Sequence, residues 1–191
     1  HNPKQWNALK LLNHRCEFIS SADGELILKY ASSDDFIFSN INQIGSYKFN
    51  DSFNDKHIED VLALDLVDVD LVKSKNFKVV LDAVNSSGGI IIPKLLKRLG
   101  VECIELFCDP NGHFPHNPEP LPENLSEISD LVVKSNADFG IVVDPDVDRL
   151  ALVCEDGSMF GEEYTLVSVA DYVLSKKPGN TVSNLYSTRA L

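Results

Sequence analysis

The sequence predicts an α/β fold, a mixed sheet flanked by helices. Three short runs read as strands, the first of them buried: "FKVVLDA" (77–83), "VECIELF" (101–107) and "DFGIVV" (138–143). Longer segments between them, "IIIPKLLKRLG" (90–100) and "ENLSEISDLVVKSNA" (123–137), read as helices. Strands that alternate with helices pair in a sheet that is at least partly parallel. The chain has 191 residues, enough for one large or two small domains, and 43% are hydrophobic, enough for a core.

The elements follow in order. Residues 1–12 read as a loop, "HNPKQWN", entering the apolar segment "ALKLL". "SSADGELILKYASS" (20–33) reads as a helix with serine and aspartate at its start. "DSFNDK" (51–56) reads as a linker. Residues 57–74 carry a helical stripe of Ile58, Val61, Leu62, Leu66, Val69 and Val72; residues 67–71 alone also fit strand alternation, but the length favours a helix, with Asp65, Asp68 and Asp70 on a solvated face. "VNSSGG" (84–89) is a turn that caps the next helix, and a phosphate cradle is its other reading. That helix ends at Gly100, and its Pro93 fits only in a first turn. Residues 150–160 read as strand, Asp-Gly turn and short strand. Residues 161–179 read as a helix closed by Pro178-Gly179, and 180–185 as a further strand.

Composition limits the function. A net charge of −12 and a pI of about 4.7 argue against nucleic acid and anionic membranes as partners, while leaving room for a small anionic substrate. No apolar run approaches the roughly 20 residues that span a bilayer. Cys16, Cys103, Cys108 and Cys154 form no C-x-x-C pair and read as reduced thiols, with a cytoplasmic location expected. The chain starts at "HNPKQW" and stops at "STRAL", which reads as a piece of a longer protein.

The candidate site is "GIVVDPDVDRLALV" (140–153), where Asp144, Asp146 and Asp148 alternate with Pro145 and Val147 ahead of Arg149. Two unit charges about 4 Å apart repel by roughly 4 kcal/mol at an effective dielectric of 20, so three carboxylates need compensation. An exposed turn paired with Arg149 is one answer. A hard cation such as Mg²⁺, with its preference for oxygen ligands, is the answer favoured by a loop between two buried-looking strands. An EF-hand would need glycine where Arg149 stands, and helices on both sides. A phosphatase loop with a nucleophilic aspartate is a further alternative. His113 and His116 could suggest a metal pair, but they fall in a proline-rich connection that explains them as turn residues.

"DPDVDR" resembles the magnesium loop of the α-D-phosphohexomutases, D-G-D-x-D-R, with Pro145 in place of glycine. "HNPKQWNALK" is similar to the end of their catalytic loop, T-A-S-H-N-P-x-x-Y/W-N-G-x-K, whose serine would precede His1. "GHFPHNPEPLPENL" (112–125) resembles their proline-rich second-domain segment, and "SNLYSTRAL" (183–191) the start of their third domain.

The resemblance implies an intramolecular phosphotransferase that interconverts hexose 1-phosphate and 6-phosphate through a phosphoserine and a hexose bisphosphate. It implies Mg²⁺ held by Asp144, Asp146 and Asp148, and a phosphoserine braced by Arg149. His1 and Lys10 would stand near the transferred group. It further implies that 1–53 ends a first domain, 54–157 is a complete second domain and 158–191 begins a third. The remaining domains of the parent chain would be partners, and the fragment alone would be inactive.

Overall fold

The computed structural model describes residues 9–33 and 36–183. The chain divides into two compact units, with the division between Asp51 and Ser52.

In the first unit, Leu12 and Phe18 form an antiparallel bridge closed by Asn13, whose Oδ1 accepts the amides of Arg15 and Glu17. Helix α1 (Ser21–Ser32) starts at a capping box in which Ser20 and Asp23 bond each other's amides. No described residue of this unit is buried.

The second unit opens with α2 (Phe53–Leu62) and α3 (Val69–Lys75). Two expectations are corrected here. Residues 51–56 are not a linker, because α2 begins at Phe53. Residues 57–74 are not one helix either. The chain turns at 63–68, and Asp68 Oδ1 accepts the Leu71 amide at 2.9 Å to start a new helix. One member of the supposed solvated trio is thus a helix cap. A left-handed Asn76 (φ 52°) ends α3.

The sheet contains β1 (Lys78–Asp82), β2 (Glu102–Leu106), β3 (Phe139–Val143) and β4 (Leu150–Cys154) in the order β2-β1-β3-β4. β1 pairs in parallel with both β2 and β3, and β4 is antiparallel to β3. Helix α4 (Gly88–Arg98) links β1 to β2, and α5 (Ser126–Ser135) precedes β3. α6 (Glu162–Lys176) follows β4 and packs against it.

Alternation along the strands sends side chains to both faces. On one face Val80, Val142 and Val153 pack with Ile128 and Val132 of α5, all essentially inaccessible to water. Each such aliphatic side chain contributes about 1.5–3 kcal/mol when fully buried. Gly140 lets α5 sit close, because a Cβ there would lie 3.0 Å from Val132 Cγ2 and Val153 Cβ. On the other face a Cβ at Gly88 would meet Val143 Cγ2 at 2.7 Å and Ala83 Cβ at 3.3 Å, so α4 covers that side. The result is a helix–sheet–helix sandwich that aims the carboxyl ends of β1, β2 and β3 in one direction.

Three further differences concern element ends. α4 begins two residues before the expected start at residue 90, which places Pro93 in its second turn. Gly100 (φ 69°) closes that helix as expected, its amide bonding Lys97 O while Val101 bonds Leu96 O. The short strand expected near 160 is a single Val153–Met159 bridge. Residues 180–183 are irregular, and 184–191 lie outside the described residues. Among the described residues no helix is long and apolar enough to cross a membrane, and all four cysteines are free.

Candidate metal centre and its phosphoryl-site neighbours

Asp144 is the first residue beyond β3, and the chain must turn back at once to form antiparallel β4. The turn is tight: the Val147 amide bonds Asp144 O at 3.1 Å, and Val147 adopts a left-handed φ of 61°. That conformation costs a β-branched residue about 1–2 kcal/mol. In exchange, the two following amides point inward. Asp148 N and Arg149 N donate to Asp144 Oδ1 at 3.0 and 3.1 Å.

Asp144 is fully buried, whereas Asp146 and Asp148 are exposed. Burial pushes the Asp144 carboxyl above its usual range; the Arg149 amide opposes this, and the charges of Asp148 and Asp146 add to the rise. One carboxylate oxygen from each of the three aspartates lies within 4.8 Å of the others. That spacing is close enough for the three carboxylates, with side-chain adjustment, to reach one oxygen-preferring cation. The donor set, all oxygen and all anionic, fits a hard divalent cation. The flanking strands rule out the EF-hand arrangement.

The loop is tethered to its neighbour. Ser86 Oγ and Ser87 Oγ, in the turn after β1, both donate to Pro145 O, at 2.9 and 2.6 Å. Ser87 makes no side-chain cap to α4, so the expected capping role is replaced by this tether.

Arg149 splits its bonds. Its backbone serves Asp144, while its guanidinium Nη1 donates to Glu119 Oε1 at 2.9 Å. Glu119 lies in the proline-rich segment, which is anchored in turn by His116. His116 Nε2 meets Oδ2 of buried Asp82 at 3.0 Å, and Asp82 Oδ1 accepts the Val84 amide. The Asp82 hydrogen bond raises the His116 pKa against the opposing effect of burial, with help from the Asn117 carbonyl at Nδ1. His116 is therefore more than a turn residue, with both ring nitrogens bonded to protein oxygens. A cavity of about 730 Å³ opens beside the loop, with Glu119, Asp148, Arg149, Leu150, Met159 and Thr165 among its walls.

The structure thus brings Asp144, Asp146, Asp148 and Arg149 into one loop. Lys10 is an exposed coil residue of the other compact unit, and His1 lies outside the described residues. Sequence reasoning missed Asp82, Glu119 and the two serine tethers. A charged residue ending the apolar run "KVVLD" was the available signal for Asp82. Nothing local marked Glu119.

Comparison with known proteins places this geometry. Residues 55–157 match the model of the phosphoglucomutase/phosphomannomutase alpha/beta/alpha domain II. A phosphoglucomutase/phosphomannomutase of Thermococcus kodakarensis is 32% identical over 100% of this chain and 41% of its own length. A probable phosphoglucosamine mutase of Methanosarcina barkeri is 37% identical over 95% of this chain and 41% of its own. The chain therefore spans about two fifths of the length of these relatives. A solved phosphoglucomutase/phosphomannomutase family protein of Burkholderia thailandensis superposes with a TM-score of 0.57 at 34% identity, covering 71% of this chain and 28% of that one. A putative phosphomannomutase of Thermus thermophilus shares the fold, with a TM-score of 0.62 at 23% identity over 70% of this chain and 31% of that one. With the domain model matched over more than half its residues, this chain belongs to the phosphoglucomutase/phosphomannomutase family.

Proposed function

We propose that the protein is a Mg²⁺-dependent phosphohexomutase that interconverts a hexose 1-phosphate and a hexose 6-phosphate. The reading is carried by the convergence of Asp144, Asp146 and Asp148 at the carboxyl end of β3, in a chain of this family. In the proposed cycle a phosphoserine yields its phosphoryl group to a sugar hydroxyl. The serine O–P bond breaks, a sugar O–P bond forms, the hydroxyl proton passes on balance to the serine oxygen, and a hexose bisphosphate results. The bisphosphate reorients and returns its other phosphoryl group to the serine.

The three aspartates would hold Mg²⁺, which when bound neutralises charge on the phosphoryl group. Asp144 is pre-oriented by two amides, so its own ordering cost on binding is small. The Arg149 guanidinium, planar and permanently charged, would brace the phosphoserine oxygens. His1 and Lys10 would stabilise charge or move a proton near the transferred group.

The domain assignment belongs to the same proposal: 1–53 ends a first domain, 54–157 is the second and 158–191 begins the third. The other domains of a longer parent chain are the expected partners, and a cytoplasmic setting suits the four free thiols. Because the chain spans about two fifths of its relatives, the isolated 191 residues should leave glucose 1-phosphate unchanged.

The test follows the phosphate. The full-length protein, given glucose 1-phosphate and Mg²⁺, should form glucose 6-phosphate, and Asp146→Asn should lower turnover at least about a hundredfold. Release of inorganic phosphate without glucose 6-phosphate would instead favour a phosphatase with an aspartate nucleophile. A panel of glucose, mannose and glucosamine phosphates then identifies the sugar.

A further inference from the structure

The Glu119–Arg149 contact joins two segments 30 residues apart, and it meets the acidic loop at Asp148's neighbour. Three bonds fix the Glu119 backbone. Its amide donates to Asn117 Oδ1 at 3.2 Å, and its carbonyl accepts the Leu121 amide at 2.8 Å and Asn124 Nδ2 at 2.9 Å. The segment is pinned upstream where His116 bridges Asp82 and the Asn117 carbonyl. The Glu119 carboxylate is therefore presented from a rigid backbone.

A guanidinium is strongly attracted to nearby carboxylates, and three of them lie within the preceding five residues. An arginine that folded onto Asp146 or Asp148 would neutralise the charge a cation needs. We propose that Glu119 is a positioning residue: it draws the Arg149 guanidinium to the proline-rich segment, so that Arg149 does not compete with a divalent cation for the aspartates. The inference rests on the metal reading above and adds a residue that acts through Arg149 rather than on the ion.

The test uses Mn²⁺ as the probe, its binding to the full-length protein read from loss of the free-ion paramagnetic resonance signal. Glu119→Ala should weaken binding about fivefold, a modest effect suited to a half-exposed ion pair. Glu119→Gln, which keeps an acceptor oxygen but loses the charge that draws the guanidinium, should fall between Glu119→Ala and the unsubstituted protein. The double variant Glu119→Ala/Arg149→Gln should regain most of the affinity that Glu119→Ala loses, because the competing cation is gone. A merely structural role for Glu119 would leave the double variant as weak as the single one, and that result overturns the inference. So does equal affinity of Glu119→Ala and the unsubstituted protein. If the unsubstituted protein itself fails to bind Mn²⁺, the metal reading falls and takes this inference with it.

Discussion

Asp82 and His116 form a pair whose charge depends on pH. Only 2% of the Asp82 side chain and 14% of the His116 side chain reach solvent. The folded pKa of His116 is raised, above an unfolded value of about 6.5. The charged pair therefore contributes its full stabilisation below about pH 6.5 and loses it as pH rises through the folded pKa. Replacing His116 by alanine strands a buried carboxylate oxygen and should cost about 1–3 kcal/mol at pH 6. Urea unfolding of both proteins from pH 5.5 to 9 should show the gap narrowing with rising pH; a constant gap would remove the charge from the explanation. The cysteines offer a second measurement. Burial, with the charge of Glu105 adding to it, pushes the Cys103 thiol up to about 11 and the Cys108 thiol up to about 12. At pH 8 about one in a thousand Cys103 side chains, and fewer of Cys108, would be thiolate. Iodoacetamide should label exposed Cys16 well before either, as peptide mass mapping would reveal.

At the scale of elements, α4 is seated by glycines rather than by side-chain packing alone. A Cβ on Gly89 would lie 2.2 Å from the Cys108 carbonyl oxygen, a backbone atom that cannot swing aside. Gly89→Ala should therefore destabilise by about 1–3 kcal/mol in denaturant unfolding. Wild-type stability would mean that the α4 start can shift. Elements whose evidence was local could be read in the sequence. The three parallel strands and α5 announced themselves as apolar runs and stripes, and the acidic trio was contiguous within five residues. The break between α2 and α3 was hidden because Leu66, Val69 and Val72 continue a helical stripe while Asp68 caps a new start. Glu119 and His116 were hidden for another reason. Their partners lie 30 and 34 residues away, and only the fold brings them together.

For the whole molecule, the division between Asp51 and Ser52 separates units of very different solidity. The second holds every buried described residue, and the first holds none. Residues 44–52 are exposed and, up to 51, irregular. Brief proteolysis should cut there first and leave a resistant product beginning near Ser52, identifiable by mass. Initial cleavage inside the sheet would contradict this picture.

The two serine bonds to Pro145 have a consequence for how freely the site can vary. Both hydroxyls end on a main-chain oxygen, which every amino acid supplies. Position 145 can therefore carry glycine or proline without loosening the attachment, and the burden of sequence falls instead on the hydroxyls at 86 and 87. Drift at position 145 is cheap, whereas drift in a turn nearly sixty residues upstream is not.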